Sequence, residues 1–197
     1  MKKSITLLAV LMSALFLASC STDKVPAEEA IKAADSAFDA VKAEALRYVP
    51  AQAQEIEAAI NTAKDSLAKK EYTAALNSAK DLASKAQDLA AAVAAKKEEL
   101  TRSWGEMSSG IPKILQVIQS RVEILGKSKK LPAGLDKAKF EGVKSGLAEI
   151  TQTWNDASAA FQSGNLNDAL AKAKIVKEKA GEALTALGMN APTALKK

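Results

Sequence analysis

Residues 111–125, IPKILQVIQSRVEIL, carry the most strongly apolar helical stripe of this 197-residue chain. The apolar positions recur mostly at intervals of three or four, the spacing of one face of an α-helix. They are Ile111, Ile114, Leu115, Ile118, Val122 and Leu125. We predict that this helix lies at the centre of the core. A helix that binds an apolar ligand or a partner protein has the same stripe, so the six residues are also the candidate interaction face.

The same periodicity continues on both sides of this helix and predicts an all-α chain. Before it, helices are predicted over residues 26–49, 51–69 and 72–107, and after it over 135–161 and 166–184. Alanine, lysine, glutamate, aspartate and glutamine dominate the composition, and most of them are good helix formers. Together these segments predict an antiparallel bundle of about six helices.

Proline and glycine predict where the helices begin and end. Pro50 disfavours helical geometry in the residue before it and so ends the first helix. The segment 108–112, SSGIP, is predicted to break the chain, with Ser109 as an N-cap and Pro112 inside the next helix. Residues 188–197 are predicted to form a loose C-terminal tail.

Two pairs of short segments match each other along the chain. Residues 72–76, YTAAL, and 166–170, LNDAL, each follow a short polar turn and precede alanines at helical spacing. Upstream, residues 49–51, VPA, match 131–133, LPA. We predict two copies of a three-helix unit with different loop lengths.

These copies would divide a helical domain, residues 26–187, into halves 26–107 and 109–187. The second turn, FQSGNLNDAL at residues 161–170, resembles the corner of a tetratricopeptide (TPR) helical hairpin, where a turn is followed by an Ala-Leu packing pair. Only part of the TPR pattern is present. The resemblance therefore implies helical hairpins of related geometry and not a true solenoid.

The N-terminal segment has the pattern of an export signal. Lys2 and Lys3 precede a mostly apolar stretch, residues 5–17, which is too short to span a hydrocarbon core of about 30 Å comfortably. It ends in Leu17-Ala18-Ser19-Cys20, which resembles a bacterial lipobox. The resemblance implies that Cys20 is lipidated and that the chain is cut between Ser19 and Cys20, which removes residues 1–19. The alternative is an ordinary signal peptide that leaves Cys20 as a chance thiol.

Cys20 is the only cysteine of the chain, as expected for a lipid attachment site. A single acyl chain holds a protein only marginally at a membrane, whereas a triacylated cysteine anchors it stably. In Gram-negative lipoproteins the residue after the cysteine helps to sort the protein between the two membranes. Here that residue is Ser21, which implies the periplasmic face of an outer membrane, or the outer face of the plasma membrane in a Gram-positive cell. Residues 20–25 would form the lipidated, short tether.

Residues 44–92, with their spaced alanines, are similar to a helical domain of uncharacterised function in bacterial envelope lipoproteins. The similarity covers about a quarter of the chain. It implies an envelope location and a helical hairpin, with no defined activity.

The chain lacks the residues that most catalytic mechanisms require. There is no histidine, and Cys20 is assigned to lipid, which excludes histidine acid/base catalysis, cysteine nucleophiles and the common zinc sites. We therefore expect a non-enzyme without metal or cofactor. Carboxylate pairs are expected to be surface residues: Asp35 with Asp39, Glu55 with Glu57, and Glu98 with Glu99. Trp104 and Trp154 could stack on a sugar or lipid, but core packing is favoured.

The formal net charge of +5 falls by two when Lys2 and Lys3 are removed with the signal peptide. Clustered lysines could contact anionic lipid headgroups, or could simply be solvated. The clusters are Lys127, Lys129 and Lys130, and Lys196 with Lys197. No basic stripe is interleaved with aromatic residues, so nucleic acid is not an expected partner.

The sequence thus predicts a membrane-anchored, non-enzymatic envelope lipoprotein. Its helical bundle would act as a structural module or bind another envelope protein. The alternative is a periplasmic carrier or chaperone that holds a lipid or apolar ligand between its helices, with residues 111–125 lining the cavity.

Overall fold

The computed structural model describes residues 23–190. Within this range the chain is helical and has no strand, which confirms the predicted all-α helical bundle. The predicted signal peptide, the cleavage site between Ser19 and Cys20, the lipidation of Cys20 and the sorting role of Ser21 lie outside the described residues. So do residues 191–197 of the predicted tail, with Lys196 and Lys197.

Seven helices occupy the described range. They are α1 (Lys24–Asp39), α2 (Lys42–Tyr48), α3 (Pro50–Ala68), α4 (Tyr72–Ala79), α5 (Leu82–Gly126), α6 (Lys137–Gln162) and α7 (Leu166–Ala186). The chain divides into two compact units, unit 1 up to Lys96 and unit 2 from Lys97. Helix α5 contributes residues to both units.

The core of unit 1 includes a cluster of small side chains where α1 packs on α3 and α4. The cluster contains Ala27, Ile31, Ala63, Ala75 and Ala79, with Ala30, Leu67 and Leu76 packed around it. Alanine side chains allow helix backbones to approach closely, so these helices pack through methyl groups and a few larger aliphatic residues. The alanine periodicity of the sequence is therefore a packing pattern.

The first predicted helix, residues 26–49, is wrong as a single element because the chain turns between α1 and α2. Val41, with φ −119°, departs from helical geometry. After this turn Lys42 Nζ lies 2.5 Å from Glu57 Oε1 of α3 and 5.5 Å from the centre of the Phe38 ring. A second turn, at residues 80–81, divides the predicted helix 72–107 between α4 and α5.

Helix α5 also corrects the predicted break at residues 108–112. It runs without interruption from Leu82 to Gly126, with Pro112 inside it. Ser109, the predicted N-cap, instead donates its hydroxyl hydrogen to the backbone carbonyl of Glu106. The predicted end of one half at 107 and start of the next at 109 therefore fall within a helix, and the repeat halves themselves remain a prediction.

The continuity of α5 follows from the phase of its apolar residues. Leu100, Trp104 and Ile111 are buried, and Met107 between them is partly buried, all at spacings of three or four residues. Pro112 itself is exposed. A proline inside a helix costs about 3 kcal/mol, whereas each buried large aliphatic side chain stabilises by about 1.5–3 kcal/mol. Ile114 and Leu115, which follow the proline, are buried as well, so the stabilisation from burial on both sides of Pro112 outweighs its cost.

Replacement of this proline tests that balance. Pro112→Ala restores a backbone donor on an exposed helix surface and is expected to raise the free energy of unfolding by about 1–3 kcal/mol. The matched control is Pro132→Ala in the exposed α5–α6 loop, where we expect a change below about 1 kcal/mol. Denaturant unfolding followed by circular dichroism measures both. A loss of stability in Pro112→Ala would contradict the account.

Helices α6 and α7 of unit 2 pack as an antiparallel hairpin joined by a short turn. Asp136 caps α6, since its side chain accepts a hydrogen bond of 2.8 Å from the backbone N–H of Lys139. Buried residues of α7 recur at helical spacing along one face. They are Leu166, Ala169, Leu170, Ala173, Val176, Ala180, Ala183 and Leu184.

The turns that precede α4 and α7 have the same backbone hydrogen bonds. In each, three successive N–H groups donate to carbonyls four, three and five residues earlier, which is a Schellman motif. The donors are Lys69, Lys70 and Glu71 in the first turn and Ser163, Gly164 and Asn165 in the second. The middle residue has a positive φ in both, 63° at Lys70 and 78° at Gly164. The matching segments 72–76 and 166–170 therefore follow equivalent turns.

The upstream match does not correspond structurally. Pro50 is the first residue of α3, whereas Pro132 lies in the loop before α6. The structure supports equivalence of the two turns and not of these two prolines.

The two turns allow a matched pair of substitutions. Lys70→Gly removes the steric cost of a side chain at positive φ, while Gly164→Ala introduces it. We expect the free energy of unfolding to rise by about 1 kcal/mol in the first variant and to fall by about 1–2 kcal/mol in the second. Denaturant titration measures both, and equal changes of the same sign would contradict the equivalence of the turns.

Candidate interaction surfaces

The six residues predicted as a core or interaction stripe are all buried in the described structure. Each side chain of the stripe exposes at most 8% of its surface, and Ile118 exposes none. They lie on the part of α5 that belongs to unit 2. Their burial supports the prediction that the stripe packs in the core, and not the alternative that it forms an interaction face.

A second apolar face of α5 lies beside this stripe. Val117 and Ile124 are two turns apart on the same side of the helix and expose 46% and 59% of their surfaces. Arg121 lies between them, and its Nε atom is buried without a hydrogen-bond partner. We call Val117, Arg121 and Ile124 the α5 outer face. This face was not predicted from the sequence, because only the stripe from Ile111 to Leu125 was considered. A helix with apolar residues on a second side indicates a further packing contact.

A groove of about 1060 Å³ lies on the α6–α7 side of unit 2. Its lining combines small residues with charged ones: Met107, Gly134, Lys139, Lys174, Lys177, Glu178, Gly181, Glu182, Thr185 and Ala186. A second groove of about 360 Å³ shares Lys139, Glu182 and Ala186 with the first and continues along Gly142 and Gly146. A Cβ atom on either of these two glycines would meet nothing within 4 Å. None of the six stripe residues lines these grooves.

Three aromatic side chains of unit 2 form a stack. The Trp104 ring lies 5.2 Å from Trp154 and 4.7 Å from Phe161, with interplanar angles of 4° and 10°. Trp154 and Phe161 are seven residues apart on α6, which separates them by about 10.5 Å along the helix. Trp104 therefore fits between them, and neither of its faces is free for a sugar or lipid. Core packing was predicted for the two tryptophans, whereas no contact between aromatic rings was predicted for any of the three side chains.

The predicted carboxylate pairs are surface groups, and two of their members form ion pairs with lysines of other helices. Asp35 accepts from Lys64 at 2.7 Å, and Glu57 accepts from Lys42 at 2.5 Å. The hydrogen bond to Glu57 raises the pKa of Lys42, which favours its charged form. The ion pair links α2 to α3.

Residues 23–190 contain no group of three or more histidine, cysteine, aspartate or glutamate side chains that could hold a metal ion. Across the same residues, no helix combines the length and apolar character needed to cross a membrane. Comparison of the chain with family models, curated proteins and solved structures gave no match.

Proposed function

We propose that the protein is a lipid-anchored envelope protein, attached to its membrane through Cys20. Support comes from the positive start, the short apolar segment and the sequence Leu17-Ala18-Ser19-Cys20. Ser21 favours the periplasmic face of an outer membrane as the location. The lone cysteine has no partner in the chain for a disulfide, and lipidation gives it a role.

The helical domain serves as a non-enzymatic interaction module. The observation that carries this proposal is the α5 outer face, where Val117 and Ile124 remain exposed on a helix whose neighbouring side is already buried. Because both side chains are already about half buried, covering the rest would contribute about 1.5–3 kcal/mol to binding. Arg121 lies between these two side chains, and its guanidinium could donate a hydrogen bond to a carboxylate or carbonyl of the partner. An amphipathic segment of another envelope protein fits these requirements.

Site-specific photocrosslinking in intact cells tests this module. A photoreactive amino acid at position 117 or 124 is expected to capture the same protein, while position 119 on the same helix captures none. Gln119 is the control because it is exposed and polar and lies on another side of α5. Val117→Asp should abolish capture from position 124, with helicity unchanged by circular dichroism. Equal capture from position 119 would refute a specific face.

A second candidate function is that of a carrier for a lipid or another apolar ligand. The groove of about 1060 Å³ favours it, since ligand sites commonly occupy about 300–1,000 Å³. Its lysines suit an anionic headgroup, and Met107, Gly181 and Ala186 provide apolar lining. This site differs from the cavity predicted from sequence, which residues 111–125 would have lined.

Native mass spectrometry separates the carrier from the interaction module. The mature chain with Cys20→Ser, purified from cell extracts, is expected to retain a lipid only if it is a carrier. Thr185→Trp places a large ring in the groove and should remove that lipid. Thr151→Trp is the control, because Thr151 is exposed on α6 outside the groove. Protein free of lipid in every preparation would eliminate the carrier.

A further inference from the structure

A side-chain hydrogen bond fixes the beginning of α1 at one end of unit 1. The Thr73 hydroxyl donates to the carboxylate of Asp23 at 2.7 Å, across fifty residues of sequence. Thr73 belongs to the first turn of α4. The chain therefore enters α1 beside the turn that joins α3 to α4.

The direction of α3 places its C-terminal end at the same end of unit 1. Lys64, near the end of α3, bonds to Asp35 of α1, and Ala63 packs in the cluster with Ala27 and Ile31. Lys42, which follows α1, bonds instead to Glu57, earlier in α3. Helices α1 and α3 are thus antiparallel, and the α3–α4 turn lies next to Asp23.

This end of unit 1 carries basic side chains and one exposed apolar side chain. Lys69 and Lys70 are exposed, and within residues 23–190 neither forms an ion pair. Val25 exposes 58% of its surface. Lys24 lies beside it, at 3.8 Å from Glu28. We call Lys24, Val25, Lys69 and Lys70 the basic end of unit 1.

Three acidic residues lie at the same end and balance the charge of the three lysines. The Asp23 carboxylate is hydrogen-bonded to Thr73, Glu28 lies 3.8 Å from Lys24, and Glu71 is exposed. Lys69 and Lys70 are the lysines of this end that form no ion pair within residues 23–190. Because the charges balance, the basic end requires a second source of affinity to hold an anionic surface.

The backbone at Lys70 indicates that a lysine is kept there at a cost. Lys70 has φ 63°, and the equivalent turn position before α7 is Gly164. Positive φ costs a residue with a side chain about 1–2 kcal/mol relative to glycine. Glycine at this position would avoid the backbone cost. The presence of lysine therefore suggests that its side chain has a function.

The second source of affinity is the lipid on Cys20, and this step rests on the proposed function. Two residues, Ser21 and Thr22, lie between Cys20 and Asp23, and the three residue steps from Cys20 to Asp23 span at most about 11 Å when fully extended. The anchor therefore holds the basic end within reach of the headgroups. A short tether also makes a weak contact effective, because it raises the local concentration of the two surfaces.

The geometry points to a docking surface for anionic phospholipid headgroups at the basic end of unit 1. Lys69 and Lys70 contact lipid phosphates, Val25 enters the interface, and α1 and α3 stand with this end towards the bilayer. Each lysine near an anionic surface strengthens binding about fivefold, so removal of both charges weakens docking about thirtyfold. The lysines at 127, 129 and 130, named from sequence, belong to unit 2 and are not part of this surface.

Paramagnetic relaxation in lipid nanodiscs tests this docking. The mature chain from residue 20 is coupled through its only cysteine to a maleimide lipid, in discs that contain a gadolinium-chelate lipid. In phosphatidylglycerol discs, the relaxation enhancement should be about tenfold larger at the Ala68 methyl group than at Ala51, which lies about 25 Å further along α3. Val25 should behave like Ala68. In phosphatidylcholine discs the difference should largely disappear.

Matched variants separate docking from the constraint of the tether. Lys69→Gln with Lys70→Gln should reduce the enhancement at Val25 and Ala68 to the phosphatidylcholine value. Lys80→Gln with Lys85→Gln, two exposed lysines beyond α4, should leave it unchanged. Ten glycine and serine residues inserted after Ser21 lengthen the tether by about 17 Å, and the end-on pattern should persist in phosphatidylglycerol.

Equal relaxation enhancement at both ends of α3 would overturn the docking surface. So would an enhancement that is the same in phosphatidylglycerol and phosphatidylcholine, or that is unchanged when Lys69 and Lys70 are replaced. Because the lipid is attached chemically in this experiment, such a result would not depend on whether cells lipidate Cys20. Absence of lipid on Cys20 in cells would instead refute the proposed anchor.

Discussion

Burial of one apolar seam along α5 is the constraint on which the described structure depends. The seam includes Leu82 and Leu89 in unit 1, and Ile111, Ile118 and Leu125 in unit 2. Its residues stay in phase with the helical repeat through Pro112, so the stabilisation from burial on both sides exceeds the local cost of the proline. The same helix also carries Trp104, the centre of the aromatic stack, and the α5 outer face. Core and candidate interaction surface are thus two sides of one element.

Much of the fold could be predicted because composition and periodicity report directly on helix formation. The all-α class is confirmed, and the predicted helix 51–69 nearly coincides with α3, Pro50–Ala68. The errors occurred where a local signal competed with tertiary burial. Pro112 was interpreted as a boundary although Ile111 before it and Leu115 after it are buried and in phase. The turn at Val41 has no proline or glycine to indicate it, and it forms where Lys42 reaches Glu57.

The candidate surfaces were less predictable, since each depends on contacts between distant residues. Periodicity located the buried stripe of α5, but Val117 and Ile124 are recognised as exposed only once the stripe is packed. The groove results from the way α6 and α7 bring Lys139 and Lys174 together with small residues. Likewise, the positive φ of Lys70 appears only in the folded turn. The N-terminal predictions stand on sequence alone.

The proposed anchor gives the basic end of unit 1 its context, because a lipid on Cys20 would hold that end at the membrane. The most direct test of this account is the mass of the N-terminal peptide of the protein extracted from cell membranes. The account predicts a chain that begins at Cys20 with a diacylglyceryl group on its sulfur, and an unprocessed chain in the Cys20→Ala variant. A mature chain that begins elsewhere, or that carries a free thiol at Cys20, would contradict it.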